Sequence, residues 1–509
     1  MLAIVPLATS CGGESEHAAL TLPASSREGW GPEGPWPGFT LFTPLQSKRV
    51  YLVDMDGEAV HAWDTASKPG LSVYLTERGT LMKANRIEDD ESVFQDAGGD
   101  GGWIQELDWN GDVLWDFRWE GDQGLGHHDF EELPSGNILF LAWDRTTRDV
   151  ALGAGRDPEL LEGEEFWPGA VYEVEPIRPE GGRVVWSWHA LDHVVQHTDP
   201  DLSNFAPPAS RPERIDINGD RNPDPPSEEE AGDELAHMAA LGYGGGDADD
   251  EEDPEGDARR ARVRDADWLH MNGIDYSAEL DQIALSVRFF DEVWIIDHGT
   301  TTEQAAGPAG DLLYRWGNPF AYGMGRWEER QLLGQHNVQW IPEGHLGAGN
   351  LLVFNNGARP REYSSVDEWW APRDENGRYP IAKDEPWGPS ETEWTYVHEV
   401  PRELDSPFIS GAQRLPNGNT LVCSGEQGWV FEVTPDRRVV WDWRSPFVPD
   451  PDELEVGNDD LPAAMFRAER YGAEHPGIVA LRAKGATIPL HPGTGPATHQ
   501  RVALDSQDK

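Results

Sequence analysis

Cysteine is almost missing from this sequence: Cys11 and Cys423 are the only two among 509 residues. That count excludes a disulfide framework and any Cys-rich zinc site. Positive charge is also scarce. Against 93 Asp and Glu stand 40 Lys and Arg, a formal charge of −53. So acidic a chain repels nucleic acid and anionic lipid surfaces, and neither is an expected partner. Beyond the short run at the N-terminus no long apolar stretch occurs, and none approaches the ~18 residues that would read as a transmembrane helix. What the chain has in excess is Trp, 23 residues, and Gly, 55 residues. Many short apolar runs punctuated by Gly and Trp point to all-β repeats rather than helices.

Two repeated elements organise the chain. The first is an apolar strand closing on tryptophan: "AVHAWD" (Trp63), "DVLWDFRW" (Trp115), "RVVWSW" (Trp186), "DLLYRW" (Trp316) and "RVVWDW" (Trp441), with a weaker copy around Trp394. Each clear copy follows a half-buried strand such as "WIQELDWNGD" or "WVFEVTPDR", whose alternation has the period of two that a strand requires. Asp-Gly and Asn-Gly between such strands mark hairpin turns, since glycine tolerates the positive φ they need. The second element is a strand pair carrying a Gly-Asn turn: "GHHDFEELPSGNILFLAW", "QHNVQWIPEGHLGAGNLLVF" and "ISGAQRLPNGNTLVCSG". Together they make a unit of four strands, the size of one propeller blade. Six tryptophan closers predict an all-β, six-bladed β-propeller with four-stranded blades, in which radial closure protects the sheet edges.

The propeller is expected over 35–481. Residues 1–34 form an N-terminal region in which "MLAIVPLATSC" is similar to the end of a bacterial lipoprotein signal, with Cys11 as the lipid-modified residue. This predicts an exported chain, lipid-anchored in the periplasm or at the cell surface, with a cytoplasmic chain as the alternative. Residues 482–509 read as a tail without periodicity. An insertion from Glu213 to Asp257 holds 17 acidic residues and few apolar ones, a composition that cannot offset the entropy of ordering the chain. It is expected to be flexible, to project from the blades and to be dispensable for folding. Within it, Asp216, Asn218 and Asp220 place alternate oxygens around a glycine, in the manner of a calcium loop.

Registering the Gly-Asn repeats brings His128 and His336 to the head of their strands, while the third copy has Ser410 there. His270, in "DWLHMNGIDY", falls near the same position. First strands of blades line a propeller's channel, so these positions converge near the axis. Imidazoles gathered there suit nucleophilic or acid–base work near neutral pH. Arg288, Arg359 and Arg361 are the candidate anion-binding cations, since a guanidinium grips a tetrahedral oxyanion at two points. Asn272 and Asn337 flank the histidines as further donors. The expectation is one pocket holding His128, His270 and His336 with Arg359 or Arg361, and with Ser410 on its rim. His189, His193 and His197 have i, i+4, i+8 spacing and read as a short surface helix between blades rather than a metal site.

"DWLHMNGIDYSAELDQIALSVR", "EVWIIDHGTT", "RWGNPFAYGMG", "QHNVQWIPEG", "SGAQRLPNGNTLV" and "FEVTPDRRVVWDW" together resemble the bacterial arylsulfotransferase family. The resemblance implies a propeller that moves sulfate from a phenolic sulfate ester to another phenol without a nucleotide donor and with no required cofactor. It implies a transiently sulfated histidine, with His270 and His336 matching supporting histidines and Arg359 or Arg361 matching the family's arginine. The nucleophilic histidine would stand near Ser410, and here none is nearby. His128 or His336 would then substitute for it. The alternative is a noncatalytic propeller that binds a ligand or partner at the cell surface.

Overall fold

The computed structural model of the chain describes residues 34–87, 92–94, 97–243, 265–357, 361–375, 377–447 and 464–493. Six four-stranded antiparallel sheets are arranged as the blades of a propeller. The innermost strands of blades one to six are Pro69–Leu75, Gly124–Glu132, Met271–Ser277, His336–Trp340, Gly411–Arg414 and Met465–Gly472. Each touches the next, and the last touches the first, so the ring is closed. Closure is made by the two ends of the fold: Met465–Gly472 pairs with Gly38–Pro44, setting Thr40 opposite Arg470 and Leu41 opposite Glu469. Blade six therefore takes one strand from the C-terminal end and three from the N-terminal end.

The tryptophan closers lie on the outermost strands of all six blades, the weaker copy at Trp394 included. Their placement has one physical cause. Each indole N–H reaches forward to the outer loop of the following blade, at 2.8 to 3.3 Å. Trp63 donates to Asp108, Trp115 to Gly181, Trp186 to the Thr300 hydroxyl, Trp316 to Pro389, Trp394 to Pro435 and Trp441 to Met55. An indole supplies a large apolar face and one donor that must be satisfied when buried. Here the same side chain fills the gap between blades and fixes their relative height.

The Gly-Asn turns are equally structural. Gly136, Gly349 and Gly418 hold φ of 84°, 83° and 90°, a region open to glycine at no steric cost. The asparagine that follows each donates to a glutamate on the third strand of its own blade: Asn137 to Glu173, Asn350 to Glu368 and Asn419 to Glu432, at 2.6 to 2.7 Å. Glu368 and Glu432 are in turn paired with Arg414 and Arg470 of the next blade's inner strand. A buried carboxylate is tolerated only when it is paired and hydrogen-bonded, and the repeat supplies both partners.

Asp129 accepts from Ser72, Tyr74 and Arg467 at 2.7 to 2.9 Å, which ties the inner strands of blades one, two and six together.

Three segments behave differently from the expectation. The described part of the acidic insertion, 213–243, packs against the propeller instead of projecting from it. Ile215 and Ile217 are fully buried, Glu228–Ala240 is an α-helix, and Leu241 and Tyr243 join an apolar cluster with Leu71, Phe408 and Phe466. A handful of apolar residues, spaced so that they all reach the blades, outweighs the acidic composition between them. Of the C-terminal tail, Ile488 is buried and the Pro492 carbonyl accepts from Met55 N. The three spaced histidines do not form a helix: Ala190–His193 is a single 3₁₀ turn. His189 there pairs with Asp144, and His193 stacks on Trp188 and pairs with Asp311. Residues 1–33, 244–257 and 494–509, on which other expectations fall, lie outside the described residues.

Candidate functional site

At the channel mouth the inner strands begin with irregular backbone. His128, His270, Asn337 and Ser410 have φ of 57°, 46°, 57° and 85°. In blades two, three and four the ladder also slips beside these residues. Left-handed conformations cost a non-glycine residue of order 1–3 kcal/mol and persist where the surroundings enforce them. Here the slip turns side chains that would have alternated across a sheet towards the axis.

His128 and His270 meet there, with ring centroids 4.6 Å apart. The Tyr243 hydroxyl bridges them, 2.7 Å from His128 Nε2 and 3.2 Å from His270 Nε2. His270 Nδ1 lies 2.6 Å from an Asp267 oxygen, and the other Asp267 oxygen accepts from Trp143 Nε1 at 2.9 Å. His128 Nδ1 lies 2.8 Å from His127 Nδ1, whose ring stacks on Trp143. A carboxylate only accepts, so His270 Nδ1–H donates to Asp267. With the Tyr243 hydroxyl donating to His270 Nε2, His128 Nε2–H donates to Tyr243 and its Nδ1 is left to accept from His127 Nδ1–H. His127 and His128 are then neutral. Burial supports this: it pushes His127 down to about 3 and holds His128 well below the ordinary range, with the neighbouring histidines adding to the effect.

His336 is built differently. Asn356 donates its amide hydrogens to the Ser406 and Ile409 carbonyls at 2.6 and 2.8 Å. Its oxygen is left to accept from His336 Nδ1, at 2.8 Å. The tautomer is thereby set, and His336 Nε2 carries a lone pair that is buried with no partner. Burial and then the field of Arg288 keep this imidazole neutral, its proton affinity well below the ordinary value. Phe466 connects the two parts of the site, its ring centroid 6.3 Å from that of His128 and 6.4 Å from that of His336. The histidines also lower one another's proton affinity, His336 acting on His128 and His270 on both.

Among the arginines expected here, Arg288 is the one whose charge reaches His128 and His336. It lies between the rings of Phe289 and Phe408, and its Nε is buried without a partner. Arg361 is engaged elsewhere, donating to the Asn355 and Tyr363 carbonyls at 2.8 and 3.0 Å. Arg359 lies outside the described residues. Asn272 donates to the Gln335 carbonyl, and Asn337 accepts from Ala412 N. Asn272 Oδ1 and Asn337 Nδ2 are buried and unpartnered. Ser410 is buried near Phe466, where Ser410 N donates to the Phe466 carbonyl, but its hydroxyl is occupied by Ser406 and Gly425 N. The Asp216, Asn218 and Asp220 oxygens meet protein donors: Asp216 takes Asn218 N, Asn218 takes Asp157 N, and both Asp220 oxygens take Arg156. Of the three, Asp220 is thus paired with a guanidinium, and among the described residues no group of three or more His, Cys, Asp or Glu is placed to hold a metal.

Tyr243, Asp267, Asn356 and Phe466 escaped the sequence reading. Asp267 had a signal, three residues before His270. Tyr243 had only its position after Leu241 in an otherwise polar insertion, and Asn356 and Phe466 had none.

Access is narrow. His128, His270 and His336 are 0, 4 and 0% exposed. Outside them a cleft of 2110 Å³ is lined by Glu234, Asp267, Arg288, Phe289 and Phe408. A second cavity, 1150 Å³, opens at the opposite end of the inner strands around Glu131, Asp275 and Glu469.

Solved structures resemble this chain only distantly. A Bacteroides caccae protein of unknown function is 11% identical at a TM-score of 0.39, covering 85% of this chain and 98% of its own. Virginiamycin B lyase from Staphylococcus aureus is 7% identical at a TM-score of 0.34, covering 82% and 86%. No curated protein matches the chain. The family model described as Arylsulfotransferase (ASST) matches residues 38–440, from Gly38–Pro44, the second strand of blade six, to the last of blade five, and with that match the chain belongs to the arylsulfotransferase family.

Proposed function

We propose that this protein transfers a sulfuryl group from a phenolic sulfate ester to a phenol without a nucleotide donor, and that His336 carries the group between them. The observation that supports His336 is its Nε2: neutral, buried, unpartnered and held in the nucleophilic tautomer by Asn356. In this reading Nε2 attacks the sulfur of the ester, the S–O bond to the aryl oxygen breaks, and the phenolate leaves with the electron pair. Arg288 offsets charge on the sulfuryl oxygens, as a fixed cation does in a water-poor site. The His128 Nε2–H steadies the departing phenolate oxygen by a hydrogen bond, and the His270 Nε2 lone pair takes the proton of the incoming phenol, whose oxygen then attacks sulfur and frees His336; that proton passes to the released phenolate. Every atom is conserved, and no redox partner enters.

The test is purified protein with p-nitrophenyl sulfate and a phenol acceptor. Nitrophenolate release that depends on the acceptor is expected. Its absence would favour the second reading, a ligand-binding propeller, for which Ser410 at the blade-five position and the enclosed histidines speak. Export and lipidation at Cys11 rest on the N-terminal sequence. Incorporation of labelled palmitate, lost in Cys11→Ser, is the corresponding measurement.

A further inference from the structure

The acidic insertion places two different groups on the machinery just described. Its Tyr243 hydroxyl sits between His128 Nε2 and His270 Nε2. Its Glu234 carboxylate faces Arg288, with Oε1 3.5 Å from Nη2. A buried tyrosine needs one partner for its hydroxyl; this one has two imidazoles from different blades, both tied further into a proton-bearing line. The ring packs among Leu71, Phe408, Ile409 and Phe466, an apolar wall that suits any aromatic ring. Arg288 keeps a buried, unpartnered Nε beside its long contact to Glu234, so its capacity to bind an anion is only partly used.

We infer that Glu234 and Tyr243 form a tethered pseudosubstrate: Tyr243 occupies the subsite for a phenol, and Glu234 the neighbouring subsite for the anionic part of its ester. This deepens the proposed transferase reading and rests on it for the substrate class. The phenol subsite lies between His128 and His270 under Phe408 and Phe466. The anion subsite is at Arg288. External phenols and aryl sulfates enter only as the 228–243 segment leaves, so the insertion competes with them directly. Further ties at the mouth include the His237–Glu426 pair and the Arg86 bond to the Gly242 carbonyl.

The experiment is calorimetric titration of the full chain and its variants with phenol, and separately with inorganic sulfate. Competition reduces apparent affinity by the fraction of open molecules, so a site open a tenth of the time gains about tenfold when the tether is removed. Tyr243→Ala should bind phenol about tenfold or more tightly. Tyr243→Phe, which keeps the packing and loses both hydrogen bonds, should gain less than the alanine variant but still exceed the wild type. Glu234→Gln should strengthen sulfate binding and leave phenol binding largely unchanged. Equal phenol affinity across wild type, Tyr243→Phe and Tyr243→Ala overturns the inference, as does weaker binding in a Tyr243→Phe variant with a wild-type melt. If Tyr243→Ala fails to fold, the phenylalanine variant decides. Gained phenol binding without any turnover of p-nitrophenyl sulfate upholds the pseudosubstrate and removes the transferase reading. Turnover without gained binding does the reverse.

Discussion

A Cβ on Gly99 would stand 2.2 Å from Cε1 of His128 and 2.4 Å from its Nδ1, and the Gly99 carbonyl accepts from His128 N at 2.7 Å. Gly99 has φ of 102°, so alanine there is strained before it meets the ring. Gly99→Ala is expected to push the imidazole off Tyr243 and His127. A displacement of ~1 Å at a reacting centre costs about a hundredfold in rate. Transfer assays and thermal melts on the same preparation would separate this from unfolding. An undiminished rate would remove His128 from the mechanism.

His336→Ala removes the lone pair proposed to attack sulfur. Loss of at least about a thousandfold in kcat is expected, with no sulfated protein trapped on denaturing quench. Asn356→Asp offers a graded test. A carboxylate beside Nδ1 favours the imidazolium, so the pH at which transfer sets in should move upward. A pH–rate profile with unchanged onset would dissociate Asn356 from the tautomer of His336.

The His237–Glu426 pair makes closure of the insertion depend on pH. The Glu426 carboxylate raises the proton affinity of His237. A group raised in the closed form stabilises that form fully below its ordinary value of about 6.5, and the contribution is lost as pH rises through the raised one. Closure should therefore loosen towards alkaline pH. Hydrogen exchange of 228–243 at about pH 6 and about pH 9 measures this, and His237→Gln should flatten the difference.

At the foot of the channel Asp275 is pushed up to about 7 by burial; Glu131 is raised by burial and then by Asp275, Asp129 and Glu469, and Glu469 by burial and Asp129. The native state then binds more protons than the unfolded chain between the ordinary carboxylate range and those raised values. Stability falls as pH climbs through that window. Asp275→Asn is expected to raise the melting temperature at about pH 8 and to change it little at about pH 5. A variant that melts lower at the higher pH would show that Asp275 is held there by its bond to Trp340 N.

The indole ring of ties predicts a local cost. Trp441→Phe deletes the bond to the Met55 carbonyl, which closes blade five onto blade six. A lost hydrogen bond with its acceptor left buried costs about 1–3 kcal/mol. Chemical denaturation should show a loss of that size with little change in slope, since the surface exposed on unfolding is the same. A loss below ~0.5 kcal/mol would mean that packing alone carries the closer.

What the sequence determined by itself was whatever repeats. The tryptophan closers predicted six blades, even at the weak Trp394, because every closer answers the same local demand: one indole per gap, with one donor for the next loop. The Gly-Asn turns were legible for a similar reason, and they registered His128 and Ser410 onto matching places of their blades, both with positive φ. The tertiary structure decided what depends on distance in space. Composition made the 213–257 segment read as solvent-exposed, yet Ile215, Ile217, Leu241 and Tyr243 are buried in its described part, because burial depends on where a few apolar groups land and not on the average around them. Alternating oxygens at Asp216, Asn218 and Asp220 suggested a cation; the fold brings Arg156 to Asp220 and backbone N–H groups to the other two. Arg361 was expected beside the histidines, but its donors reach backbone carbonyls; Arg288, from another blade, brings its charge to them instead. The pairing of Tyr243 with His128 and His270 has no trace in spacing, since residues 115 and 27 positions apart in the chain meet only once the ring has closed.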